Sequence, residues 1–191
     1  MKKIVKKNQL VKSALLKKGS IYYNNNQDEK ALEVYKQIVA NYPHTDEAGT
    51  ALKSIENIYV ASGNVDDFFN YVRNVSSDKI TVSFQDSVTY NAASEQYFSK
   101  NFIEAEKGFE QYINRFPDGV FILKANYYKG ECALRRNDFI SALPAYEYVI
   151  QHKGEEQFLF PSLQNAARIQ LADSNYKQAI VYYKQLNEHA P

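Results

Sequence analysis

The chain has 191 residues, 45% hydrophobic and 24% charged, with a net charge of +1, values ordinary for a globular protein and no support for a general nucleic-acid-binding surface. Seven glycines and five prolines are about half the usual share of roughly 12%, too few for a sandwich or barrel whose strands reverse every 8–12 residues or so. A single cysteine, Cys132, excludes a disulfide scaffold, and no apolar run approaches the ~18–20 residues of a membrane-spanning helix. Sixteen tyrosines and eleven phenylalanines supply core material in the absence of tryptophan. These counts point to a mostly helical chain.

The amino-terminal segment is basic. Residues 1–27 contain seven lysines and no acid, which leaves a net charge of −6 on residues 28–191. The opening MKKIVKK resembles the basic start of a secretory signal, but Asn8, Gln9, Lys12, Lys17 and Lys18 interrupt every candidate apolar stretch of roughly 7–15 residues. Residues 1–11 read as a basic, helical extension. Its lysines suit an acidic partner or lipid headgroups, although a solvated helix face explains them more simply.

From residue 12 onward the chain repeats every 37 residues. Ala31, Phe68, Ala105, Ala142 and Ala179 form one series. Four residues on lie Tyr35, Val72, Phe109, Tyr146 and Tyr183, and three further on Ile38, Val75, Tyr112, Val149 and Leu186. Twelve residues after the first series come Pro43, Ile80, Pro117, Gly154 and Pro191. Offsets of 4 and 7 share one helical face. A second amphipathic segment precedes each series, as in ALKSIENIYV and ANYYKGECAL. Asn, Asp or Ser opens pieces such as NDFISALPAYEYVI, where such side chains cap free amides. Each unit is therefore expected to be helix–turn–helix, and the chain a right-handed, all-α solenoid of five units over residues 12–191. Alanine at the crossing lets two helices approach to the short end of ~8–10 Å. Phe68 in copy two must widen its pair or rotate outward, and Pro144 should kink the second helix of copy four.

Catalytic chemistry has no foothold. No HExxH, paired-cysteine or phosphate-cradling glycine motif is present. His152 and His189, one period apart, read as solvated helix-end residues rather than metal ligands. Cys132 reads as a buried, inert thiol. Asp66–Asp67 and Glu155–Glu156 start helices and complement their dipoles. No cofactor is expected, and a lone cysteine fits either redox compartment.

The pattern resembles the tetratricopeptide repeat, with Leu15, Gly19, Tyr22, Ala31, Tyr35 and Pro43 matching its large, small and aromatic positions in order. Gly130, Ala142 and Tyr146 match in copy four, and Ala167, Ala179, Tyr183 and Pro191 in copy five. The period is 37 rather than 34, and Gln96, Ala133 and Gln170 replace a usual tyrosine. The longer period, with phrases such as ANYPHTDEA and NRFPDGV, is similar to a bacterial cell-envelope subclass of the family that includes outer-membrane assembly lipoproteins and Tol–Pal partners. That likeness implies the periplasm or the outer-membrane periphery; the cytoplasm is the alternative.

The resemblance also implies a concave wall built from first helices, on which a peptide or helix of a protein partner would lie. Carried over position by position, that wall takes Tyr90, Asn91, Tyr97, Phe98, Lys124, Tyr127, Arg135 and Arg168. Aromatic and arginine side chains are enriched in binding hot spots. The competing expectation is that the tyrosines only pack between units and the chain is a spacer or self-assembling array. Both ends respect the repeat phase, as a fragment of a longer array would. Ile180, Tyr183 and Leu186 of the last helix would then be left bare and favour self-association.

Overall fold

A left-handed residue recurs every 37 positions. Asn26, Gly63, Lys100, Asn137 and Ser174 have φ between 55° and 75°. In each case the next N–H donates back to the carbonyl five residues earlier: Gln27 to Tyr22, Asn64 to Tyr59, Asn101 to Gln96, Asp138 to Ala133 and Asn175 to Gln170. This is the Schellman closure of a helix. The carbonyl of that same residue then accepts the first bond of the following helix, from Ala31, Phe68, Ala105, Ala142 or Ala179. The side-chain period is thus written in the backbone as well.

The computed structural model describes residues 2–75 and 81–189. Ile80 and Pro191, and the side chains of Lys2, Lys3, Lys6, Lys7 and His189, lie outside the described residues. The helices are α1 (Lys2–Asn24), α2 (Asp28–Asn41), α3 (Asp46–Ala61), α4 (Val65–Val75), α5 (Val82–Phe98), α6 (Phe102–Arg115), α7 (Ile122–Arg135), α8 (Phe139–Gln151), α9 (Glu156–Ala172) and α10 (Tyr176–His189). Among the described residues there is no strand. The fold is an all-α solenoid of paired helices. The period alone predicts one array over 12–191; the helices gather into two compact units, residues 1–81 and 82–191. The basic extension is continuous with the first repeat, because α1 runs unbroken from Lys2.

In the first unit α1 packs on α2 and α2 on α3, and α1 also touches α3. Gly19 of α1 lies so close to Tyr35 that a Cβ there would fall 2.5 Å from the ring. Ala31, Tyr35 and Ile38 are buried at this crossing. Copy two departs from the pattern. Phe68 does not rotate outward: it is 1% exposed, with its ring 6.3 Å from Tyr59 and 5.9 Å from Phe69. Instead α3 and α4 pack far less extensively than the other four pairs. Glu56 also stands where Gly19, Ala93, Gly130 and Ala167 keep the first helix small. Bulk on both sides of one crossing separates the helices.

In the second unit α5 touches α7 and α7 touches α9, whereas among the described residues no comparable contact joins successive second helices. First helices therefore line the inside of the curve. Ala105, Ala142 and Ala179 are buried at the crossings. Asp86, buried on α5, accepts from Tyr112 Oη at 2.6 Å and from the Val120 amide at 3.0 Å. Tyr112 Oη in turn accepts from the Phe121 amide at 2.9 Å. This chain of bonds fixes the loop that leads into α7, and it satisfies a carboxylate that burial would otherwise penalise.

Capping follows the sequence only in part. Asp138 accepts from the Ser141 amide at 3.1 Å. Asn101 occupies the same position but makes no side-chain cap, because its amide donates to Gln96 at 3.0 Å. Asp66 and Asp67 lie in the first turn of α4, and Glu155 and Glu156 at the start of α9. Pro144 lies inside α8 and Pro161 inside α9; each removes one ladder bond, and each helix continues past it.

Two glycines on first helices separate steric effects from propensity. Gly49 of α3 has open space where its Cβ would sit, so Gly49→Ala should stabilise the chain by about 1 kcal/mol. Gly19→Ala gains the same propensity but drives a methyl into the Tyr35 ring, and overpacking of ~1–3 kcal/mol should make it net destabilising. Thermal melts of the two variants should move in opposite directions.

Candidate functional site

Rings from three first helices form a seam across the second unit. Phe98 and Tyr97 of α5 lie 6.0 and 4.7 Å from Tyr128 of α7. Tyr128 is 5.2 Å from Tyr127, and Tyr127 is 5.1 Å from Phe158 of α9. A cation flanks each end. Arg135 lies 5.2 Å over Tyr97 and 5.0 Å over Phe102, and Lys124 Nζ is 5.8 Å from the Phe158 centroid. These contacts fall in the range of edge-to-face, offset and cation–π attraction.

Five of the eight residues expected on the inner wall meet here: Tyr97, Phe98, Lys124, Tyr127 and Arg135. Phe98 is 68% exposed, Tyr97 and Tyr127 are half-buried, and Asn91 lies exposed elsewhere on α5. Arg168 is exposed one repeat along, where it borders a cleft with Leu134 and Asn165. Tyr90 is placed differently. It is 9% exposed, with its ring stacked 4.4 Å from Phe121 and 5.7 Å from Tyr112. That is a core position between copies three and four. Tyr127 against Phe158 is the same contact one repeat later. The series Phe84, Phe121, Phe158, 37 residues apart, carried this pairing in the sequence. Tyr128, the hub of the seam, was signalled only by its place in the Tyr127–Tyr128 doublet.

Beneath the seam, Glu131 gathers three donors. Its carboxylate accepts from Tyr146 Oη at 2.7 Å, Asn165 Nδ2 at 3.1 Å and Arg135 Nη1 at 2.7 Å. Asn165 also donates to Tyr146 Oη at 3.1 Å. The network ties α7, α8 and α9 together and holds Arg135 against the rings. Burial, then the charge of Glu131, pushes the Tyr146 hydroxyl far above its ordinary value. The same two causes raise Tyr127 to about 12. Tyr182 is raised to about 12 by burial and by donating to Glu147. Burial and the bond to Asp86 raise Tyr112.

Elsewhere the surface offers little chemistry. Cys132 is fully buried and burial pushes its thiol up to about 12, which keeps it protonated and unreactive. His152 stacks on Tyr148 at 4.0 Å and is exposed. Among the described residues no cluster could hold a metal ion, and no helix is long and apolar enough to cross a membrane. On α10, Tyr176, Ile180 and Tyr183 are exposed, while Leu186 packs against the core.

Residues 13–45 match the tetratricopeptide repeat family, so the first helix pair carries that family's sequence pattern. No curated protein sequence matches the chain. Among solved structures, the crystal structure of MamA is similar over 89% of this chain and 92% of that one, at 16% identity and a TM-score of 0.49. A Podosopora anserina chain of nearly identical TPR-like repeats is similar over 92% of each chain, at 15% identity and a TM-score of 0.45. The P58(IPK) TPR domain is similar over 94% of this chain and 51% of that one, at 15% identity and a TM-score of 0.46.

The buried hydroxyls set an alkaline limit. A tyrosine whose folded value lies above its unfolded value near 10 contributes stability that is complete below pH ~10 and lost as the pH rises toward the folded value. Stability to urea should therefore be flat from pH 8 to about 10 and fall above it. Absorbance titration at 295 nm should show a fraction of the tyrosines ionising only above pH ~10, together with the loss of structure.

Proposed function

We propose that the chain is a non-catalytic protein-interaction module whose second unit receives a peptide or helical segment along the seam of α5, α7 and α9. The observation that carries this reading is the row of partly exposed rings, Phe98, Tyr97 and Tyr128, with Arg135 held over its end. Tyrosine and phenylalanine offer contact area at small entropic cost, having only two side-chain torsions each. Arg135 is positioned by Glu131 and keeps donors for a carbonyl or carboxylate of the segment. Membership of the whole chain in the tetratricopeptide repeat family, beyond residues 13–45, belongs to the same proposal. The 37-residue period and the phrases ANYPHTDEA and NRFPDGV support a place in its bacterial cell-envelope subclass.

A second reading rests on α10. Its exposed Tyr176, Ile180 and Tyr183 favour self-association, in which the chain acts as a spacer or array. Sedimentation of the chain and of Ile180→Glu over a wide concentration range tests it; a monomer throughout removes it.

The seam is tested with a partner captured from the source cell and titrated against variants. Phe98→Ala and Tyr97→Ala should each weaken binding by ~1–2 kcal/mol or more with helical content intact. Lys107→Ala, on the exposed side of α6, should bind like the parent chain. Normal binding by both ring variants removes the groove reading.

A further inference from the structure

Successive repeats supply an internal comparison for each cleft. Between the start of α6 and the end of α7 the space is filled by the chain's own arginines. Arg135 lies 5.0 Å over the Phe102 ring, and Arg136 bonds to Glu106. Advancing every position by 37 leads to the space between α8 and α9. There Phe102 becomes Phe139, Glu106 becomes Leu143, Arg135 becomes Ala172 and Arg136 becomes Asp173. The ring is kept and both cations are gone. A mostly apolar cleft of about 300 Å³ is left open, bordered by Phe139, Leu143, Gln170, Ala172 and Asp173.

Two polar groups border this cleft without partners. The Gln170 side chain is 7% exposed and, among the described residues, makes no hydrogen bond; its counterpart Gln96 is bonded to Asn101. Its amide opens toward the cleft, where a ligand can bond to it. Asp173 is exposed and, among the described residues, has no cation beside it.

We propose that this cleft receives a single arginine side chain from a protein partner. The guanidinium lies over Phe139, as Arg135 lies over Phe102, and donates to the Asp173 carboxylate and the Gln170 side-chain carbonyl. Arginine fits better than lysine because its planar, weakly hydrated head stacks on a ring while its fork donates sideways. Arg168 borders the adjoining cleft of about 350 Å³ and occupies the position of Glu131 one repeat earlier. It repels a second cation, so a polybasic run is disfavoured. The site lies apart from the aromatic seam and does not depend on it.

The test is an amide-resolved NMR titration of the full chain with N-acetyl-arginine amide, beside the lysine and norleucine equivalents. The arginine probe should give saturable shifts at Phe139, Gln170 and Asp173, roughly two- to five-fold tighter than the lysine probe. Asp173→Asn should weaken it by a similar factor. Ala172→Arg combined with Arg168→Glu rebuilds the arrangement of α7, and should abolish binding while raising the melting temperature. Phe98→Ala should leave probe binding unchanged, which keeps this result distinct from failure of the seam. Three results overturn the proposal: no saturable shifts, equal shifts with the norleucine probe, or undiminished binding by Asp173→Asn or the double variant.

Discussion

The left-handed turn at every thirty-seventh residue is the constraint from which the rest of the molecule is phased. It ends each first helix at a fixed point and starts each second helix two residues later. That spacing decides which side chains of the pair face each other. A turn one residue longer would rotate the second helix by about 100° relative to the first, at 3.6 residues per turn, and would carry Ala105 or Ala142 away from the crossing. Five turns of one type, filled by Asn, Gly, Lys, Asn and Ser, show that the closure tolerates several side chains. Glycine and asparagine suit a positive φ; lysine and serine take it at some cost, which the two orphan carbonyls satisfied by the motif offset.

Given that phase, contacts between repeats follow from one recurring pair of rings. Tyr90 on Phe121 and Tyr127 on Phe158 are equivalent struts, yet they differ in surroundings. The first is enclosed by Tyr112 and the loop that Asp86 holds; the second stays half-open and continues into Tyr128, Tyr97 and Phe98. A structural contact in one repeat is thus the edge of the proposed binding surface in the next. Tyr128 takes part in both roles. It stacks on Phe109 at 5.8 Å and also meets Tyr97, Phe98 and Tyr127 in the seam. Charges are distributed by the same logic, since Glu131 sits deep enough to hold Tyr146 and near enough to the rim to orient Arg135.

Much of this was legible before any coordinates. The spacing of Ala31, Ala105, Ala142 and Ala179 identified the buried crossing, and the offsets of 4 and 7 found Tyr35, Phe109, Tyr112 and Tyr146. Periodicity reports which face a residue occupies. It does not report how deep that face lies, and for that reason Tyr90 and Tyr127 read alike although one is enclosed. Single-repeat events were equally hidden. Asn101 and Asp138 hold the same position, but Gln96 diverts the first from capping, and nothing local in the sequence announces that competition. Phe68 illustrates a third gap: the sequence marked a conflict at the crossing, and only the helices' relative placement showed that separation, rather than rotation, relieves it.

That loosened crossing bears on how the first unit loses structure. In a stack of repeats, cooperativity is carried by interfaces between nearest neighbours, and a weak interface divides the stack into segments that open independently. The pair α3–α4 packs least extensively of the five helix pairs, so those two helices should part more readily than the partners in the other pairs. Amide protection graded along the chain would dip there while the α1–α2 crossing, locked by Gly19 against Tyr35, stays closed. The chain then has a built-in seam of partial unfolding, at which proteases, chaperones or mechanical load would find it first.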